Sequence, residues 1–116
     1  MPADDAVQLP ESPAAALVDA VADAMFALSS TSRVRILMLL RSRPCTVSEL
    51  TEATGMEQSA VSHQLRVLRE HRIVSVERIG RRRRYAIYDD DVATLLDAAV
   101  HHIAAPSSRR SRRAAG

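Results

Sequence analysis

Residues 46–71, TVSELTEATGMEQSAVSHQLRVLREH, admit few three-dimensional readings. Thr46 followed three residues later by Glu49 makes a capping box, in which each side chain satisfies a backbone N–H that the start of a helix leaves unpaired. Val47 and Leu50 then point inward from a short helix. Gly55 supplies a turn, and beyond it Val61, Leu65 and Leu68 fall at i, i+4 and i+7, the apolar stripe of a second helix. Two short helices joined by a tight glycine-containing turn make a helix-turn-helix candidate. The rest of the chain has to pack around that unit.

Upstream, Ser12-Pro13 is a good helix start, and Leu17, Val21, Ala24 and Leu28 recur at helical spacing, which predicts a first helix over about residues 13–28. Ser30 or Thr31 can cap a second helix, with Val34, Leu37, Met38 and Leu40 as its buried face and Pro44 as its end. After His71 the apolar period changes from helical to alternating. IVSVERIGRRRRYAIYD reads as a β-hairpin around Gly80, and a last helix over about 91–104 is expected to bury Val92, Leu95, Leu96, Ala99 and Ile103. The prediction is a mainly α domain with a small β-hairpin, a winged helix-turn-helix over residues 13–105. Residues 1–12, with two prolines and no periodicity, and 106–116, with no apolar residue larger than alanine, are expected to be disordered.

At 116 residues this is one domain, and with 47% hydrophobic but only 3% aromatic residues its core must be aliphatic, which suits packed helices. No run is apolar enough to span a bilayer and no signal peptide is evident, so a cytoplasmic protein is expected. The single Cys45 excludes an intrachain disulfide and a multi-thiolate metal cage. No Gly-rich phosphate loop and no nucleophile paired with a base is present, so an enzyme is not expected. The net charge of +2 conceals an asymmetry: residues 1–58 hold four arginines against eight acids, and residues 59–116 hold twelve against six. A basic second half points to an anionic partner, nucleic acid before membrane.

With Val61, Leu65 and Leu68 buried, the opposite face of the fourth helix presents Ser59, Ser62, His63, Arg66 and Arg69, and Gln58 sits at its N-terminus, where its amide can read a base and the helix dipole favours phosphate. Short polar groups near the N-terminus and cations further along are what a helix needs to read base edges in a major groove and hold the flanking phosphates. The plainer reading is a solvated face. In GRRRRY, Arg81 and Arg83 should point one way and Arg82 and Arg84 the other; four like charges suit a DNA backbone or minor groove, or else protect a sheet edge. The tail arginines 109, 110, 112 and 113 could add non-specific attraction.

GMEQSAVSHQLRVLREHRIV, then GRRRRYAIYDDDVATLLDAAVHHI, with ALSSTSRVRILMLL before them, resembles the ArsR/SmtB family of bacterial metal-sensing transcriptional regulators over about residues 14–105. The resemblance implies a homodimer that binds palindromic operator DNA, with metal altering that binding. It is nearest the zinc, nickel and cobalt sensors that place metal on the last helix, with a pattern of Asp-x-His, ten residues, then His-x-x-His or His-x-x-Glu. Asp89 and His102 match; Asp91 stands where the pattern has histidine, and Ala105 where it has its last ligand.

Asp91 and His102 are eleven residues apart, about 16 Å along a helix at roughly 1.5 Å per residue, against metal–ligand bonds of about 2 Å. One helix cannot close such a site. Two antiparallel copies can, which predicts a homodimer through the terminal helices with two equal sites. Exchanging imidazole for carboxylate favours an octahedral ion completed by water, nickel first, with cobalt or zinc as alternatives. His101, about 100° away, or the Asp4-Asp5 arm could supply a further ligand. A contact from His102 to a carbonyl near Arg72 would couple the site to the DNA-reading helix. Other readings stay open: Asp89–Asp91 as a helix cap and His101 and His102 as surface groups complementing the helix dipole, hence a same-fold regulator that no longer senses metal, or a non-regulatory interaction module.

Overall fold

The computed structural model describes residues 12–106. The expected arm with Asp4 and Asp5, and the tail arginines, lie outside the described residues. Helix α1 (Ser12–Leu28) meets α2 (Thr31–Ser42) at 86°. The corner is pinned by the Ser29 amide and hydroxyl, which donate to the Phe26 carbonyl at 3.0 and 2.7 Å. Ser30, rather than Thr31, caps α2 by accepting from the Arg33 amide at 3.4 Å. Strand β1 (Cys45–Thr46) leads into α3 (Val47–Thr54), whose capping box forms as expected, Glu49 N to Thr46 Oγ1 at 3.2 Å and Thr46 N to Glu49 Oε1 at 2.8 Å. Gly55 then turns the chain at φ 73°, a left-handed conformation that glycine adopts without steric cost. Helix α4 (Gln58–Glu70) is followed by β2 (Val74–Ile79), β3 (Arg82–Ile87) and α5 (Asp90–Ala104).

Between α4 and β2, Arg72 is the sole non-glycine residue with positive φ among the described residues, at 57°. Its amide donates to the Arg69 carbonyl and that of Ile73 to the Leu68 carbonyl, closing α4 with a Schellman motif sealed by buried Ile73 and Leu68. Gly80 at φ 62° starts the two-residue hairpin turn whose right-handed twist matches the strands.

The sheet corrects the expectation of a two-stranded hairpin. Its order is β1-β3-β2, all antiparallel, with Cys45 opposite Tyr85 and Thr46 opposite Arg84. Two residues are too few to carry a period, and their pairing with β3 is forty residues away in sequence, so β1 leaves no local signal.

The core gathers Ile36, Leu37 and Leu40 of α2, Leu50 of α3, Val61, Leu65 and Leu68 of α4, and Ile73, Val74 and Tyr85 of the sheet, with Ala27 and Cys45. Two burial expectations are corrected. On α2, Ile36 takes the place given to Met38, which is 48% exposed, and Val34 is half-buried. On α5 no residue is fully buried: Val92 and Leu96 are half-buried, while Leu95, Ala99 and Ile103 are exposed. The reason is shared. Val34 and Met38 of α2 and Leu95, Ala99 and Ile103 of α5 line an apolar groove of about 400 Å³ between the two helices.

Beside Val92 and Leu96, which pack on the core, a bidentate ion pair tethers α5 to α2, Arg41 Nε and Nη2 donating to the two Asp97 oxygens at 2.9 and 2.7 Å. The hydrogen bond and charge of Arg41 hold the Asp97 carboxyl below its ordinary range. A depressed folded-state pKa means the tether stabilises the fold above the ordinary carboxylate range and is lost as pH falls through the lowered value. Hydrogen-exchange protection of α5 amides should therefore drop at acid pH before that of α4, and Asp97→Asn should show the loosened α5 already at neutral pH.

Candidate nucleic-acid interface and metal centre

Helix α4 is amphipathic in the sense the sequence requires. Val61, Leu65 and Leu68 are buried, and Gln58, Ser59, Ser62, His63, Arg66 and Arg69 are all exposed. Glu57 precedes the helix without a side-chain cap, so its first-turn amides take no side-chain acceptor there. Arg66 and Arg69 have no acidic partner among the described residues. His71 stands apart from the reading face: it lies just past α4, and its Nδ1 donates to the Val67 carbonyl at 3.0 Å.

The hairpin divides its arginines unequally. Arg81 belongs to the turn, not to β3. The register sets Glu77 opposite Arg84, Arg78 opposite Arg83 and Ile79 opposite Arg82. Alternation puts Arg82 and Arg84 on one face, where Glu77 meets Arg84 at 3.7 Å and the Arg43–Glu49 pair, at 3.2 Å, lines the same shallow groove. That face is partly neutralised. The other face sets Arg78 and Arg83 opposite each other in the register, and neither makes an ion pair among the described residues. Like charges directly opposite in a sheet are destabilising by a few tenths to about 1 kcal/mol. An anion between them would reverse that. Sequence reading missed Arg78, although pairing residues outward from the Gly80–Arg81 turn places it opposite Arg83.

On α5 the acids and imidazoles sit at opposite ends. Asp89 caps the helix, its Oδ1 accepting from the Val92 amide at 3.0 Å, and Asp90 and Asp91 occupy the first turn. His101 and His102 occupy the last turn, and all five are exposed. Among the described residues no three His, Cys, Asp or Glu side chains gather closely enough to hold an ion within one chain. Cys45 is no candidate: it is buried, its thiol donates to the Arg43 carbonyl at 3.3 Å, and burial pushes its pKa up, away from the thiolate a metal needs.

A polar reading helix behind a glycine turn, flanked by a cationic hairpin, defines a winged helix-turn-helix DNA-binding protein. Comparison with known proteins narrows the class. A family model described as "Bacterial regulatory protein, arsR family" matches residues 30–76. The HTH-type transcriptional regulator NmtR of Mycobacterium tuberculosis is 54% identical over 82 residues, 71% of this chain and 68% of its own length. The solution structure of apo-NmtR superposes with a TM-score of 0.66 at 49% identity, covering 82% of this chain and 77% of that one. The homodimeric winged helix-turn-helix DNA-binding domain of Mb0332 from Mycobacterium bovis gives 0.74 at 34% identity, covering 81% and 91%. The chain belongs to the ArsR family. It is a DNA-binding transcriptional regulator, not an enzyme. Among the described residues no single helix is long and apolar enough to cross a membrane.

Proposed function

We propose that the protein acts in the cytoplasm as a homodimer that binds palindromic operator DNA and changes that binding when it takes up a metal ion, nickel before cobalt or zinc. Residues 13–105 form the DNA-binding and dimerisation domain, flanked by an arm at 1–12 and a basic tail at 106–116. Gln58, Ser59, Ser62 and His63 read base edges. Arg66, Arg69 and the hairpin arginines Arg81, Arg82, Arg83 and Arg84 hold the backbone, joined by Arg78.

The observation that carries the metal reading is the segregation of donors along α5. Asp89 and Asp91 stand at one end and His101 and His102 at the other, on a helix whose Leu95, Val100 and Ile103 are 40, 39 and 71% exposed. Antiparallel pairing with a second copy covers those apolar groups and, in the same act, brings the acids of one subunit to the imidazoles of the other. The homodimeric state of the M. bovis domain supports that pairing. The donor set fits a hard, octahedral ion: carboxylates make up half of it, and Ala105 leaves a position to water, which suits nickel better than a closed tetrahedral zinc site. Bound there, the ion supplies a cross-link between subunits, and metal and DNA change each other's affinity by the same factor.

One observation favours a second reading. Asp89 Oδ1 is already used in capping α5, as a purely structural aspartate would be, and this supports a regulator that no longer senses metal. Competition for nickel between the protein and a chelator of known affinity separates the two. The metal reading expects saturable, sub-micromolar uptake of one ion per subunit, abolished by His102→Ala. No saturable uptake would leave the second reading standing.

A further inference from the structure

One side chain links three helices. Arg33, near the start of α2, donates through Nε to the Ala27 carbonyl and through Nη2 to the Phe26 carbonyl at 3.5 Å, both at the C-terminal end of α1. Its Nη1 donates to Gln64 Oε1 of α4 at 2.9 Å. A guanidinium has donors only, so the Gln64 atom facing it must be the oxygen. The last carbonyls of a helix lack partners within it, and a planar fork satisfies them while leaving a third donor free, which a lysine ammonium cannot match in geometry.

The location matters because α1 meets the body mainly near that end. Ala27 is its only fully buried residue among those described, whereas Leu17, Val18, Val21, Met25 and Phe26 are exposed. Gln64 lies on α4 between exposed His63 and buried Leu65, outside the reading set. We infer that Arg33 is a positioning residue for DNA recognition: by gripping α1 and Gln64 together it fixes the angle between the exposed apolar stripe of α1 and the reading helix. The inference rests on the homodimer proposed above and extends its contact from α5 to the exposed stripe of α1, Leu17, Val18, Val21 and Met25. In a two-fold dimer the separation of the two reading helices must match half-sites about one DNA turn apart, roughly 34 Å. A tilt at the Arg33 corner is carried into that separation.

The test uses the full chain and a duplex selected from a random pool by the wild-type protein. Binding is compared with duplexes carrying one or two extra base pairs at the dyad. Gln64→Ala removes only the α4 arm of the link, and alanine is the best helix former, so folding is retained. Loss of one charge-assisted hydrogen bond is expected to shrink the preference for native spacing about tenfold, with the dimer intact by sedimentation. Gln64→Glu keeps the acceptor oxygen and should keep the preference. An unchanged preference in Gln64→Ala, a uniform loss at every spacing, or a Gln64→Glu that behaves like Gln64→Ala would each overturn the inference while leaving the dimer in place. A wild-type protein that sediments as a monomer would remove the dimer reading itself, and the inference with it.

Discussion

Replacing Arg78, Arg81 and Arg83 together with alanine is expected to flatten the salt dependence of DNA binding strongly. Each phosphate neutralised by an arginine releases counterions and contributes about 0.9 to the slope of log K against log salt. Three arginines in each of two subunits therefore account for a slope of up to about 5, which between 50 and 200 mM salt is on the order of a thousandfold in affinity. The comparison that gives the experiment its force is Arg82→Ala with Arg84→Ala. Those two face Glu77 and the Arg43–Glu49 pair, so part of their charge is already balanced within the fold. They should cost less slope per residue than the Arg78 set. Equal slopes per arginine would show that the face of the hairpin does not matter, and an unchanged slope in the triple variant would take the hairpin out of the DNA contact. On the proposed reading, Ser62→Ala and His63→Ala are expected to change another quantity, the discrimination between operators, because base-edge contacts carry sequence information and phosphate contacts do not.

The residues behind these contrasts differ in how far the sequence alone disclosed them. The Thr46–Glu49 box, the turn at Gly55 and the stripe Val61, Leu65, Leu68 were legible because each is a local pattern whose partners lie within a few residues. Arg78 was hidden by register, a property of two strands rather than one. Strand β1 was hidden because it has only two residues and its partner is distant. Helix α2 misled for a different reason: Val34, Ile36, Leu37, Met38, Leu39 and Leu40 are apolar on nearly every side, so period alone cannot choose between Ile36 and Met38 for the core. Helix α5 is the most instructive. Its apolar stripe is real, yet within a single chain most of it stays exposed. A stripe read as core is in large part exposed surface, and the dimer proposed above accounts both for that exposure and for the acids and imidazoles at its two ends.

That explanation makes Leu95→Glu the substitution with the widest consequences. Leu95 lies near the middle of α5, 40% exposed, beside the groove facing α2. Within one subunit a carboxylate there can still reach water, so the fold should survive with its helical content unchanged. In an antiparallel pair of α5 helices the same carboxylate would enter the seam from both subunits, because a two-fold interface repeats every substitution. Two desolvated like charges cost several kcal/mol with nothing to balance them. The expected result is a folded protein that sediments as a monomer at micromolar concentration. Losing simultaneous grip on both half-sites should lower operator affinity by about 10²–10⁴. Nickel uptake should vanish too, although Asp89, Asp91 and His102 are untouched, because each subunit then holds only half of a site. Met38→Glu is the matching control for exposed polar substitution on α2. A Leu95→Glu protein that stays dimeric would place the subunit contact elsewhere, and one that loses the dimer but keeps nickel would return the metal to a single chain.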